Sequence, residues 1–322
     1  MHAIEELEKI VPDSDVVTSV GVFDGVHIGH QELLRRAVAR AQEADCLSAA
    51  ITFHPHPRAV LGQGLQQTYL NDLPERLDLI KSLGIDVVAT LTFTPQLARL
   101  SAQEFMQLVS SHLRVRELVV GDGFALGRHR EGTVEVLRSI GEQLGFSVNA
   151  VGPVVVDGAI VSSSRIRDLL RSGDVNGAQG LLGRRYSLGG LVVLGAGRGR
   201  AIGFPTANIA VPPERTVPLD GVYVVYAYIR GESRPAVTSI GTRPTFDNGL
   251  RTVEVHILDF DEDIYGQELR IEFVSRLRGE ERFASVAALV AQIEADVVAA
   301  RKMLLGRPDL QASPRPQEAP AG

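Results

Sequence analysis

Gly21-Val22-Phe23-Asp24-Gly25-Val26-His27-Ile28-Gly29-His30 decides how the first half of this chain folds. It continues the apolar run Thr18 to Phe23, which reads as the end of a strand. It precedes Gln31 to Val38, whose apolar residues recur at i, i+3 and i+4 as on a helix. A glycine-rich turn between a strand and a helix leaves backbone N–H groups unpaired at the positive end of the helix dipole, where a phosphate binds. His27 and His30 stand beside that opening, able to stabilise charge on a phosphate under attack. Zinc is an alternative if His54 and His56 complete a set of four, although Pro55 and Pro57 fix the local backbone and the glycine framing suits an anion better. A structural histidine pair is the plainest alternative.

Composition narrows the classes. The chain has 322 residues, 44% of them hydrophobic, enough for a large core and two domains. No apolar run approaches a membrane span, and Met1 to Glu6 is acidic where a secretory leader would be basic. A single cysteine, Cys46, excludes an internal disulfide framework and suits a reducing cytoplasm. A net charge of −6 argues against a general nucleic-acid binder, so an anionic ligand must be gripped locally. The expectation is a soluble cytoplasmic protein with small-molecule partners, no membrane or nucleic acid, and a monomeric or weakly oligomeric state.

The grammar of the chain changes near Gly183. Before it, the strands Leu47 to Phe53, Val87 to Leu91 and Leu118 to Gly121 alternate with helical patterns at Leu73 to Leu83 and Ala102 to Leu113, which predicts a parallel sheet flanked by helices. After it, Leu191 to Leu194, Gly221 to Tyr228, Thr252 to Leu258 and Leu269 to Val274 follow one another as strands, which predicts an antiparallel sheet or barrel. One helix from about Ser285 to Leu305 covers it, and Arg307 to Gly322 reads as a disordered tail.

Other stretches also carry chemistry. Ser162-Ser163-Ser164-Arg165-Ile166-Arg167 places hydroxyls at a helix start, an ordinary cap, but its early arginines oppose the helix dipole unless an anion offsets them. The loop Leu194 to Asn208 is glycine-rich and basic and ends in Phe204-Pro205-Thr206-Ala207-Asn208; it is neither a Walker loop nor a dinucleotide fingerprint. A flexible hairpin loop is its simplest reading. Period-two alternation puts Glu254, His256 and Leu258 on one strand face and Val253, Val255 and Ile257 on the other.

Taken together, the first turn, the serine-arginine segment, Thr52 to Arg58, Gly121 to Gly127, and Gly203 to Asn208 resemble the prokaryotic bifunctional riboflavin kinase/FMN adenylyltransferase family, also called FAD synthetase. Ile240 to Phe246 and Leu277 to Phe283 match family loops around ATP and flavin. The resemblance implies an α/β, Rossmann-like nucleotidyltransferase domain of the HxGH type over residues 1–183. An antiparallel β-barrel riboflavin kinase domain with a C-terminal helix would follow over 184–310, and a disordered tail over 311–322.

It also implies the chemistry. Riboflavin and ATP would give FMN, and FMN and ATP would give FAD and pyrophosphate, with Mg2+ as the metal. His27 and His30 would be catalytic, Gly21, Phe23, Asp24, Gly25 and Gly29 would shape the nucleotide turn, and Ser163, Ser164 and Arg167 would hold the leaving phosphates. His56, Arg58, Asp122 and Phe124 would line the flavin. In the kinase half, Gly197, Gly203 and Pro205 would approach the nucleotide, Thr206 and Asn208 would hold Mg2+ and ATP phosphates, Glu254 would be the base and Arg278 would face the flavin.

One departure stands out. The family usually has Asp or Asn before the Phe of the Gly121 to Gly127 turn and an aromatic two positions after that Phe; here Gly123 precedes Phe124 and Leu126 follows. Asp122 would substitute by a one-residue backbone shift, or the flavin would lose a hydrogen bond worth about 1 kcal/mol. A riboflavin kinase with a weak or inactive adenylyltransferase half is therefore the alternative function.

Overall fold

The computed structural model describes residues 2–10, 12–62, 68–195, 197–242 and 251–305. The chain divides into two compact units, Met1–Ser163 and Ser164–Gly322.

In the first unit, β1 (Val16–Val20), β2 (Leu47–His54), β3 (Val87–Thr92), β4 (Val115–Gly121) and β5 (Ser147–Val151) form a parallel sheet in the order β3-β2-β1-β4-β5. Its helices are α1 (His2–Glu8), α2 (Ile28–Glu43), α3 (Pro57–Val60), α4 (Leu73–Ser82), α5 (Ala102–His112) and α6 (Val134–Leu144). Leu7 of α1, Met106 of α5 and Leu137 of α6 join the core on one sheet face with Val16, Ile51 and Leu118. Leu34 of α2 and Ile80 of α4 join the core on the other with Val17, Ala50 and Val119. Burial on both faces is why these strands read as unbroken apolar runs. The strand order reverses between β1 and β4, so the crevice at their carboxyl ends is where such a sheet takes its ligand. A short hairpin of β6 (Val155–Val156) and β7 (Ala159–Ile160) turns through Asp157 and Gly158, both at positive φ as a primed turn requires.

The second unit opens with α7 (Ser163–Arg171), whose first residue is the last of the first unit, and α8 (Val175–Leu182). A closed barrel follows, built from β8 (Ser187–Val193), β9 (Ala207–Ile209), β10 (Gly221–Ile229), β11 (Glu232–Thr242), β12 (Arg251–Ile257) and β13 (Glu268–Arg278) in the order β10-β11-β12-β9-β8-β13. The one-turn α9 (Arg198–Ala201) interrupts the glycine-rich loop, and α10 (Val286–Leu305) closes the described chain. Ala300 and Leu304 of α10 share a core with Val222, Val224, Val237 and Val274, so β10 is apolar on both faces. Asn176 of α8 donates to the Val274 carbonyl of β13 at 3.1 Å.

The sequence reading needs local corrections. β1 ends at Val20, so Gly21 to Phe23 belong to the turn, and Leu194 lies beyond β8 with 81% of its surface exposed. Leu258 does not share the face of Glu254: β12 stops at Ile257, the Leu258 N–H turns back to the Pro235 carbonyl at 2.9 Å, and the side chain is buried. Residues 243–246 of the Ile240 to Phe246 match, Ala196, and the tail expected over 311–322 lie outside the described residues.

Candidate active sites

The first site is a strained, tightly packed turn. Phe23 and Val26 have φ of 51° and 38°, a backbone region that costs non-glycine residues about 1 kcal/mol or more each. Both side chains are buried in the core on the α2 face, which holds the turn in that shape. Gly21 is required by packing, because a Cβ there would lie 2.9 Å from the Phe23 ring; Gly25 is required by its φ of 82°. A Cβ at Gly29 would lie 3.2 Å from the His27 ring. The glycine between the histidines therefore makes room for an imidazole.

His27 is the N-cap of α2, and its Nδ1 accepts the His30 N–H at 3.3 Å. That contact assigns the proton of a neutral His27 to Nε2 and makes that atom a donor. The two imidazoles stack with centroids 3.6 Å apart and planes 18° from parallel, and Phe23 meets His30 edge-on at 5.5 Å. His30 titrates well below the usual imidazole range, chiefly because it is buried and then because His27 and Arg76 are nearby positive groups. Burial therefore favours the neutral form of His30.

The turn spends more of its amides internally than a glycine-rich phosphate loop was expected to. The Gly25 N–H donates to Asn71 Oδ1 at 3.1 Å, and the Val26 N–H to the Phe23 carbonyl at 3.0 Å. The Ile28 and Gly29 amides open α2, where the dipole favours an anion. Asp24 accepts the Leu70 N–H at 3.0 Å, and its carbonyl accepts the Ser163 hydroxyl at 2.9 Å, which brings Ser163 to the turn. Ser164 and Arg167, on α7 in the second unit, are exposed and buried respectively.

The expected flavin residues follow the carboxyl ends of β2 and β4, the two strands that flank β1. His56 follows β2 as the N-cap of α3, its Nδ1 accepting the Arg58 N–H at 3.0 Å and its own N–H donating to the Tyr69 hydroxyl at 2.7 Å. Asp122, Gly123 and Phe124 follow β4, with the Phe124 N–H closing a turn onto the Gly121 carbonyl at 2.9 Å. Nothing lies within 4 Å of where a Gly123 Cβ would be, and Arg130 approaches the Gly123 carbonyl at 3.4 Å. Asp122 is exposed and Phe124 half-buried. Among the described residues no group of three His, Cys, Asp or Glu is placed to hold a metal.

The second site lies on the barrel. β9 and β12 pair so that Asn208 stands opposite Glu254, and the Thr206 hydroxyl donates to Glu254 Oε2 at 3.2 Å. Glu254 and His256 occupy the half-buried face of β12, while Val253, Val255 and Ile257 point into the core, as the alternation predicted. His256 Nδ1 lies 2.8 Å from the Pro205 carbonyl, and its ring meets Phe204 edge-on at 5.5 Å, pinning the Phe-Pro corner. A Cβ at Gly195 would lie 2.2 Å from the Asn208 amide nitrogen, so that glycine admits the asparagine. Gly197 and Gly203 have φ of 66° and 89° with open space around them. Arg200, Pro205, Thr206, Phe260 and Tyr265 line an open cleft beside this corner.

Arg278, expected to face the flavin, is anchored to α10. It grips Asp296 of α10 through Nε at 3.1–3.2 Å and Nη2 at 2.8 Å and lies over the Phe283 ring. Sequence reasoning missed Asn71 and Arg76 beneath the first turn. A signal existed: Arg76 falls between Leu73 and Ile80 on the apolar stripe of α4, where a charge needs a buried partner.

The FAD synthetase family model matches residues 9–165 and the riboflavin kinase family model residues 182–304. The bifunctional riboflavin kinase/FMN adenylyltransferase of Pseudomonas fluorescens is 39% identical over 94% of this chain and 98% of its own. The proteins of that name from Escherichia coli K12 and Bacillus subtilis are 37% and 36% identical, over 90% and 87% of this chain and 93% and 90% of theirs. A Streptococcus pneumoniae crystal structure titled as a macrolide-efflux protein aligns with a TM-score of 0.85 and 34% identity over 91% of this chain and 96% of its own. Among the described residues no helix is long and apolar enough to cross a membrane. Two family models in tandem, and relatives of that name matched over nearly their whole length, make this chain a member of the bifunctional riboflavin kinase/FMN adenylyltransferase family.

Proposed function

We propose that the chain makes FAD in two steps at two sites: its barrel phosphorylates riboflavin to FMN, and its parallel-sheet half adenylylates FMN. The observation that carries the reading is the juxtaposition of Asn208 and Glu254 on paired strands of a barrel, with Thr206 just before β9 bonded to Glu254, in a chain that also holds a stacked His27–His30 pair at a strand-to-helix turn.

In the first step Glu254 accepts the proton of riboflavin's terminal ribityl hydroxyl as that oxygen attacks the γ-phosphorus of ATP, whose bond to the β,γ-bridging oxygen breaks to release ADP. The donated Thr206 hydroxyl keeps the carboxylate aimed as an acceptor. Phosphoryl transfer asks mainly for alignment, which a strand-borne carboxylate supplies. Oxygen donors at Thr206 and Asn208 beside that carboxylate suit a hard divalent cation, and Mg2+ bound there would neutralise phosphate charge. Gly197, Gly203 and Pro205 give the nucleotide close access to backbone. Arg278 shapes the flavin side through its Asp296 anchor.

In the second step a phosphate oxygen of FMN attacks the α-phosphorus of ATP and pyrophosphate leaves. His27 and His30 donate hydrogen bonds to the oxygens of the crowded α-phosphate, and Gly21, Phe23, Asp24, Gly25 and Gly29 fix the turn around it. Ser163, Ser164 and Arg167 hold the departing phosphates, while His56, Arg58, Asp122 and Phe124 receive the flavin. Catalytic modules of residues 1–183 and 184–310, a cytoplasmic setting, and a monomeric or weakly associating chain that binds no nucleic acid complete the proposal. Both halves match their family models, and no observation favours an idle first half.

Chromatography of riboflavin, FMN and FAD during incubation with ATP and Mg2+ tests the reading. Both products are expected in sequence; FMN without FAD would remove the second step, and neither product would remove the whole.

A further inference from the structure

Beneath the first turn lies a buried polar assembly that the reaction as written does not use. Arg76 of α4 is fully buried; its Nη1 donates to the Phe53 carbonyl at the end of β2 at 3.2 Å, and its Nη2 lies 4.0 Å from Asp24 of the turn. Its guanidinium lies over the Tyr69 ring at 5.6 Å, and the Tyr69 hydroxyl accepts the His56 N–H. Asn71, fully buried as well, accepts the Gly25 N–H, and its amide nitrogen has no hydrogen-bond partner among the described residues. One side chain thus touches the turn after β1, the exit of β2 and the segment leading into α4. A buried cation is retained at such a place only when its partners are good, and packing alone would be served by an apolar residue.

We propose that Arg76 is a positioning residue for adenylyl transfer, whose buried charge and contacts fix the working arrangement of the His27–His30 pair. The proposal rests on the reading of the first half as an adenylyltransferase. Among the described residues, His27 from the head of α2 and Arg76 from α4 both disfavour a proton on His30, and Asp24 of the turn lies 4.0 Å from Arg76. Arg76 and Asp24 oppose each other there: after burial and His27, the cation adds to what disfavours a proton on His30, and the carboxylate moderates the cation. A neutral imidazole donates one hydrogen bond to phosphate without pairing tightly with the substrate before reaction, and it avoids two adjacent positive rings.

The test is the pH profile of kcat/KM for FAD formation in the full chain, with FMN formation followed on the same samples. Arg76→Met removes the charge and keeps much of the bulk. Its acid limb is expected to move up by about one pH unit or less, and its plateau rate to fall on the order of tenfold. FMN formation is expected unchanged. Arg76→Lys keeps the charge and should hold the limb at its wild-type position, while Asp24→Asn should move it down, opposite in sign to Arg76→Met.

A wild-type limb in Arg76→Met, or the same upward shift in Arg76→Lys, overturns the proposal. Should Arg76→Met not fold by circular dichroism, the opposite shift in Asp24→Asn and an NMR titration of the wild-type His30 ring decide. A ring that titrates at or above the usual imidazole value, or no downward shift in Asp24→Asn, overturns it. Absence of FAD formation by the wild-type chain strikes the functional reading instead.

Discussion

The two candidate sites are built differently. The first is a turn with two glycines dictated by neighbours and one, Gly25, by its φ: the Phe23 ring fills the space a Gly21 side chain would need, the His27 ring presses on Gly29, and buried Asn71, Asp24 and Arg76 lie underneath. The second is a loop of mixed glycines: Gly195 and Gly199 are crowded by Asn208 and the Phe204 carbonyl, whereas Gly197 and Gly203 meet nothing within 4 Å and are dictated by backbone sign alone. A pre-packed site has its geometry built during folding. An open loop leaves part of that ordering to the moment of binding.

The largest expected effects separate the two chemistries. Glu254→Gln should lower FMN formation by about 10²–10⁴-fold and leave adenylylation of supplied FMN intact. His27→Ala should lower FAD formation by about 10²–10³-fold and leave FMN formation intact. Both are read by product chromatography, and loss of both products from either substitution would break the separation of sites.

Glycine substitutions sharpen the contrast. Gly21→Ala should lower the melting stability of the first half by about 1–3 kcal/mol, since Phe23 is buried and has nowhere to move. Gly203→Ala should cost only about 1 kcal/mol, the penalty of its φ, and should show itself mainly as a raised KM for ATP in the kinase reaction. Equal melting losses would mean that the second loop is as tightly packed as the first.

Acid should act unevenly on the two halves. His30 binds its proton more weakly folded than unfolded, so below about pH 6.5 the unfolded chain takes up more protons than the folded one and stability falls with pH. Above that value the term is constant. Thermal melts between pH 7 and 5, compared with His30→Gln, should show this loss in the first half of the wild-type chain and a smaller one in the variant.

The smallest expected effect is a gain. Gly123→Asn puts a polar side chain where the family usually has one and where the structure has open room, and should lower the KM for FMN by up to about fivefold, near 1 kcal/mol. An unchanged KM would mean that Asp122 already does this work.

Much of this was legible in the chain. The change from alternating elements to consecutive strands gave both architectures, because burial on two faces and burial on one leave different apolar periods. The parity of β12 placed Glu254 correctly against Val253 and Val255. β11 escaped notice because Glu232-Ser233-Arg234-Pro235 opens it with polar residues and a proline, yet its pairing with β10 runs from Glu232 to Ile240. β9 lay hidden within the kinase signature, where Pro205 and Thr206 read as loop. Arg76 was invisible as function because its partners Asp24, Phe53 and Tyr69 come from segments that only the folded sheet brings together.

The antiparallel register of β9 and β12 has a consequence for how this kinase can change. Asn208 and Glu254 are opposite rungs of one ladder, so their side chains must share a face. A single-residue insertion or deletion within either strand would send one of them into the oily lumen and strand the other outside. Point changes can tune this pair, whereas a frame slip extinguishes it, so length variation across descendants of this barrel should gather in its connecting loops and spare these two short strands.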